Sequence, residues 1–203
     1  MTSAGAAEDA PRRGYRKGAE RRAQILDEMI RMVAEQGVDA SSIRSVADAL
    51  GISHAALRHY FSSRDELLVA VYREHEVRTV SAAEPPTSAI GDMRESTDRN
   101  RSVPGLVQLY TTLAADAVQE GHPGTREFMR ERFRSLRHDL AELIRRDQEA
   151  GRIRADLDAQ DLASLSIAAS DGLQVQWLLD PEAVDGARVL RLLESIVPPG
   201  PAA

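Results

Sequence analysis

Residues 41–61 read SSIRSVADALGISHAALRHYF, and this stretch decides the fold. Ser41-Ser42 marks a helix start, because a serine oxygen accepts from N–H groups that a first turn leaves unpaired. Ile43, Val46, Ala47 and Leu50 then fall at i, i+3, i+4 and i+7, the apolar face of a short helix. Gly51 interrupts it, Ile52 is apolar, and Ser53 can cap a second short helix carrying Leu57 and Phe61. Ala47 is small where the two helices would cross, and Ile52 and Leu57 would bury against Val46 and Leu50. Two short helices joined by a glycine-containing turn have the size of a helix-turn-helix. The second helix then turns Ser53, His54, Ala55, Arg58 and His59 outward, in position for a DNA major groove.

The flanks support this reading. Upstream, Ile25, Leu26, Met29, Ile30, Met32 and Val33 repeat at helical spacing over residues 19–36, and Gly37-Val38 follows as a C-terminal cap with its apolar contact. Downstream, Ser63-Arg64-Asp65-Glu66 spells a capping box that opens a helix through Leu67, Leu68, Val71 and Tyr72. Beyond it, Glu84-Pro85-Pro86 is a break, and residues 87–101 are polar with a weak helical pattern. Pro104 can start a helix through Leu106, Leu109, Tyr110 and Leu113. Residues 121–124 form a turn, before a long helix with Phe128, Met129, Phe133, Leu136, Leu140, Leu143 and Ile144 on one stripe, closed by Gly151. The most apolar helix spans residues 158–179, and a last one runs from about Pro181 to Val197. No segment alternates as a strand, and no internal repeat is evident.

Composition narrows the class. Of the 203 residues, 42% are hydrophobic and 29% charged, as in globular proteins, and no apolar run approaches the roughly 20 residues of a membrane span. The N-terminus lacks the pattern of a secretory signal, which gives a cytoplasmic expectation. With no cysteine, disulfides and thiolate metal sites are excluded. The net charge of −6 hides an asymmetry. Residues 12–64 carry ten basic and six acidic side chains, whereas residues 65–203 carry 16 and 24. Positive charge collects where it would meet phosphate.

The run Ile25-Leu26-Asp27, Gln36-Gly37, Ser42-Ile43-Arg44-Ser45-Val46-Ala47, Gly51-Ile52-Ser53, Leu57-Arg58-His59-Tyr60-Phe61 and Arg64-Asp65-Glu66-Leu67-Leu68 resembles the TetR family of bacterial transcriptional regulators. Gly151-Arg152-Ile153-Arg154-Ala155-Asp156 and Asp171-Gly172-Leu173-Gln174 look like segments of TetR-type ligand domains. The sequence departs from the family pattern at Ala55, where glycine is frequent, at Arg58, usually tyrosine, and at Tyr60, usually histidine. The resemblance implies an obligate dimer paired through the last two helices, with an effector cavity in each C-terminal domain.

The expected architecture is therefore all-α: an N-terminal three-helix helix-turn-helix DNA-binding domain plus a C-terminal helical ligand-binding and dimerisation domain. Residues 1–17, with Arg12, Arg13, Arg16 and Lys17, read as a flexible basic arm that either follows DNA or has no specific role. Residues 18–64 form the DNA-binding domain, 65–197 the effector-binding and dimerisation domain, and 198–203 a disordered tail. The expected DNA-contacting set is Ser42, Arg44, Ser53, His54, Ala55, Arg58, His59, Tyr60 and Arg64; His54 and His59 read equally as surface histidines, and Arg64 as a first-turn ion pair with Asp65. Leu106, Gln108, Tyr110, Leu113, Met129, Phe133, Gln174 and Trp177 are expected to line an effector pocket, with plain core as the competing reading. Gln108, Asp171, Gln174 and Gln176 would supply its polar handles. The dimer interface is expected at Leu165, Leu173, Leu178, Val189, Leu192, Leu193 and Ile196.

The function expected is a repressor that binds a palindromic double-stranded operator as a homodimer and is released by a small, mostly apolar effector. The alternative is a helical DNA-binding protein that acts without an effector. No cofactor and no metal is expected, since neither His122 nor His138 has metal-ligand spacing to a carboxylate. An enzyme is disfavoured: no nucleophile elbow, phosphate-binding glycine loop or His-Glu metal motif is present, and acidic pairs such as Asp147-Glu149 read as exposed. A helical protein that packs only on another protein is a further rival.

Overall fold

The computed structural model describes residues 9–38, 42–80, 88–103 and 105–197, with side chains except those of residues 9–17, 79, 80 and 196. The expected break at 84–86, helix start at Pro104 and tail at 198–203 lie outside the described residues. Among the described residues nine helices follow in order: α1 Asp9–Gln36, α2 Ile43–Ala49, α3 His54–Tyr60, α4 Arg64–Val80, α5 Ala89–Arg101, α6 Leu106–Ala117, α7 Pro123–Glu149, α8 Ala159–Leu179 and α9 Gly186–Ile196. Among the described residues there is no strand, so the all-α expectation holds.

The caps form where serines and aspartates invite them. Ser42 accepts from Ser45 N–H and Ser53 from Ala56 N–H, each at 3.1 Å, which starts α2 and α3. Ser63 likewise accepts from Glu66 N–H at 3.1 Å, but the Glu66 carboxylate reaches one residue further back than a capping box requires, to the Ser62 N–H at 2.8 Å. Three boundaries differ from expectation. Helix α1 begins at Asp9, so the stretch read as a flexible arm is helical from there; Pro11 falls in the first turn, where no intrahelical N–H is lost. Helix α9 begins at Gly186 rather than near Pro181, because Asp180 accepts from Ala183 N–H in a local turn and Asp185 caps the helix through Arg188 N–H. The weak pattern before Arg101 is a full helix, α5, capped by Ser88.

Two apolar clusters form the interior. The first joins Ile25, Met29, Val46, Leu57, Phe61, Leu67 and Leu68 to Leu106, Leu109, Leu113, Phe128 and Met129. Packing is thus continuous from the helix-turn-helix through α4 into α6 and α7, with no gap at residues 64–65. The second joins Ala89 and Ile90 of α5 to Leu140 and Ile144 of α7 and to Leu162 and Ile167 of α8. Asp147 is buried beside it rather than exposed: its carboxylate accepts from Ala89 N–H at 2.9 Å and from Arg152 at 2.6 Å. That partnership joins residues 58 positions apart, which no local pattern reveals.

Helices α1 and α6 meet at glycines. Gly105, with φ +74°, precedes α6 so closely under α1 that a Cβ there would stand 2.5 Å from the Val33 carbonyl oxygen. Gly37 closes α1 with φ +79°, and a Cβ there would stand 3.1 Å from Gln108 Oε1 of α6. Both positions need a left-handed backbone that other residues adopt only with strain.

Candidate nucleic-acid interface and effector cleft

Helix α3 is braced from behind and free in front. Leu57 and Phe61 are fully buried, Val46 and Ala47 of α2 are buried against them, and the Ile52 N–H donates to Ala47 O at 3.0 Å. Arg22 of α1 stands 4.8 Å over the Phe61 ring, which ties α1 to the end of α3. Ser53, His54, Ala55, Arg58 and His59 are exposed on one face of α3, and Ser42 and Arg44 are exposed at the start of α2. Tyr60 differs: it is half-buried against the first cluster, its ring edge-on to His59 at 5.5 Å. Arg64 is half-buried too, and its Nη2 donates to Val38 O at 3.2 Å, so part of the guanidinium holds α4 to the end of α1. Only backbone geometry across 26 residues shows this.

Among the described residues, the expected effector residues lie in several different surroundings. Leu106, Leu113 and Met129 are packed in the first cluster. Gln108 lies against Gly37, Trp177 sits under Arg101 at 5.1 Å, and Gln174 is buried with its carboxamide turned back to Ser170 O. Tyr110 and Phe133 remain, and they share Asp171. The Tyr110 hydroxyl lies 3.0 Å from both Asp171 oxygens, while Phe133 and Asp171 line a cleft of about 330 Å³ between α7 and α8. A larger cleft, about 580 Å³, opens between α4 and α7 and is lined by Glu76, Phe128 and Arg132 among others. Three residues at this centre were missing from the expected pocket: Tyr72, Glu76 and Arg132. Arg132 pairs with Glu76, 56 residues away, and on the charged helix α7 it reads like any solvated arginine.

Burial pushes the Asp171 carboxyl above its ordinary range; the Tyr110 hydrogen bond and the Arg132 charge act against that rise. A carboxylate raised in the folded state destabilises it wherever the group is ionised. Asp171→Asn should therefore raise the melting temperature at neutral pH. The gain should shrink as pH falls through the carboxylate range, where the wild-type group is itself neutral. Thermal melts of both proteins across pH check this, and an unchanged or lower melting temperature at pH 7 would contradict it.

His122, Asp65 and Asp116 come together although their spacing gave no sign of it. Their ligand atoms lie within 4.8 Å of one another, and the His122 ring nitrogen meets Asp65 at 2.7 Å. The group ties the first turn of α4 to the end of α6 and the start of α7.

On α8, Leu165, Val175 and Leu179 are 56%, 41% and 81% exposed, and Leu192 of α9 is 62% exposed. Leu178 is also exposed, whereas Leu173 is buried and Val189 and Leu193 are half-buried. Leu173 therefore belongs to the subunit interior, and the side chain of Ile196 lies outside the described residues. Leu165, Ala168, Gly172, Val175 and Leu179 recur every three or four residues as one exposed stripe. No helix among the described residues is long and apolar enough to cross a membrane.

Known proteins share both halves of this arrangement. Residues 25–71 match the family described as bacterial regulatory proteins, tetR family, and residues 96–198 match the BetI-type transcriptional repressor, C-terminal family. The chain is 28% identical over 187 residues to the HTH-type transcriptional regulator PksA of Bacillus subtilis, covering 85% of this chain and 86% of that one. It is 29% identical over 181 residues to the HTH-type transcriptional repressor Rv1474c of Mycobacterium tuberculosis, covering 88% and 94%. The fold is that of a transcriptional regulator from Saccharomonospora viridis crystallised with choline, at a TM-score of 0.72 and 23% identity over 90% of this chain and 100% of that one. Helix-turn-helix, helical C-terminal domain and matched relatives agree, and the chain belongs to the TetR family as a transcriptional regulator rather than an enzyme.

Proposed function

We propose that two copies of the chain pair through α8 and α9, set their α3 helices in successive major grooves of a palindromic operator, and release it when a small effector enters the C-terminal helices. The carrying observation is the outward face of α3, where Ser53, His54, Ala55, Arg58 and His59 stand clear of the body on a helix braced by α2. Isologous pairing supports the palindrome, since a two-fold protein axis matches a two-fold operator. The exposed stripe on α8 supports the pairing, because an apolar face of that length is otherwise left in water. The effector has a mostly apolar body, in keeping with Phe133 and Ile167 in the α7–α8 cleft, and it meets Asp171 as a polar handle.

Arg58→Ala tests the DNA-binding face. One base-reading side chain contributes about 1–3 kcal/mol of discrimination, whereas a lost phosphate contact weakens all sequences alike. The variant should lose roughly that much operator affinity at matched salt, read by titration of a labelled fragment. Equal binding by the variant and wild type would remove α3 as the reader. Effector hits found by thermal shift that leave operator affinity unchanged would favour the reading without a switch.

A further inference from the structure

One imidazole and two carboxylates meet where the helix-turn-helix joins the C-terminal helices, apart from both clefts. Asp65 lies in the first turn of α4, Asp116 in the last turn of α6, and His122 immediately before α7; all three are half-buried. The short turn between α6 and α7 is fixed independently of them. Arg126 donates to Ala117 O at 2.9 Å and to Gln119 O at 2.8 Å, and Gly121 turns the chain with φ +95°. His122 occupies the cap position of α7, yet its side chain makes no capping bond there, and its Nδ1 meets Asp65 at 2.7 Å instead. Asp65 is accounted for by that bond and by its place at a helix start, where negative charge is favourable. Asp116 is not: it sits at the C-terminal end of α6, where negative charge is disfavoured, and among the described residues it has no ion pair within 4.0 Å. The arginines of the surrounding turns are engaged elsewhere, Arg126 with the carbonyls above and one nitrogen of Arg64 with Val38 O. Their other charges are acidic: Glu66 is held by Ser62, Glu120 is exposed and Glu127 pairs with Arg130.

We propose that Asp65, Asp116 and His122 bind a divalent transition-metal ion of zinc's class, with water on its open position. One imidazole nitrogen with carboxylate oxygens is a donor set for such an ion, whereas magnesium and calcium favour oxygen alone. The ligand atoms of the three residues already lie within 4.8 Å of one another. Zinc holds such atoms at about 2.0–2.2 Å, which sets two of them about 3.4 Å apart on a tetrahedral ion, so small side-chain movements complete the site. A carboxylate only accepts, so in the metal-free chain Nδ1 carries the hydrogen that Asp65 receives. The ion takes that hydrogen's place, and the neutral ring keeps its other hydrogen on Nε2. The fully buried Thr125 supplies a second sign of a ligand, because its hydroxyl has no hydrogen-bond partner among the described residues. Thr125 stands three residues after His122 on the buried face of α7, and side chains at a cap and three residues later are within reach of each other. A water on the ion is the partner that this hydroxyl lacks. The ion also offsets the charge of Asp116 and ties the starts of α4 and α7 to the end of α6.

The test uses the full chain without an affinity tag, freed of metal by a chelator that is then removed. Calorimetry with zinc chloride should give one ion per chain. Zinc at about a hundredfold above its Kd should raise the melting temperature by about 5 °C or more. Magnesium chloride should bind roughly tenfold or more weakly. His122→Ala and Asp116→Asn should each weaken zinc binding by about tenfold or more, since even residues behind metal ligands contribute that much. Asp116→Asn separates the ion from the fold: having no ion pair to lose, the zinc-free variant should melt at or above wild type, while its rise with zinc shrinks. His138→Ala, at an exposed histidine of α7, should leave both readings unchanged. Zinc that binds the two ligand variants as tightly as wild type, or that is lost with His138→Ala, sits on other histidines and overturns the proposal. A wild type that zinc leaves unstabilised, or that magnesium stabilises equally, overturns it as well. Should His122→Ala fail to fold, Asp116→Asn decides alone.

Discussion

Leu165→Glu together with Val175→Glu should leave the protein monomeric and cut operator affinity by about a hundred- to ten-thousandfold, the range lost when two linked binding events become independent. Both side chains are exposed on the α8 stripe, so neither glutamate disturbs the subunit interior. In a two-fold pair each substitution recurs on the partner, and four carboxylates would crowd an apolar seam. Gly172 lies in the same stripe with open space where a Cβ would be, which permits two α8 helices to approach closely. Sedimentation at micromolar concentration and operator titration check the two halves separately. A double variant that stays dimeric would move the interface elsewhere; a monomer with undiminished affinity would show that pairing does not serve DNA binding.

Phe61→Ala should destabilise the protein by about 3–5 kcal/mol, as truncating a buried aromatic ring does. Phe61 is fully buried at the end of α3, with Arg22 across one ring face. The cavity would open between α1, α3 and α4, where the first apolar cluster runs on into α6. The loss should therefore appear in the melting of the whole chain and not only of its N-terminal part. Circular dichroism and hydrogen exchange read this. A variant that melts normally but exchanges fast only in residues 18–64 would mean that the N-terminal helices unfold as a separate unit.

The helix-turn-helix was legible because its determinants are local. The caps at Ser42 and Ser53, the turn at Gly51 and the buried positions Val46, Ala47 and Leu57 all lie within a few residues of their partners. The same locality made α8 readable as a helix with two apolar sides, though not which leucine belonged to which: Leu173 and Leu165 look alike in sequence, and only the position of α9 and α5 sends one inward. Of the side chains around the two clefts, the sequence singled out Tyr110, Phe133 and Asp171. Glu76 and Arg132 lie on different helices, and their pairing follows from tertiary neighbours. Asp147, read as exposed, was misjudged for the same reason. Arg64 was only partly readable as well, since one nitrogen of its guanidinium donates to the Val38 carbonyl.

The glycine at position 105 has a consequence for how such regulators can be recombined. Exchanging DNA-binding heads between related chains is simplest where two modules touch only through pliable side chains. Here a backbone carbonyl of α1 occupies the place of a side chain at the start of α6, and Gln108 leans on the turn that ends α1. A hybrid cut after the helix-turn-helix would inherit one half of this fit without the other. Viable chimeras should be those that carry residues 33–37 and 105–108 from the same parent, whatever their source of recognition helix.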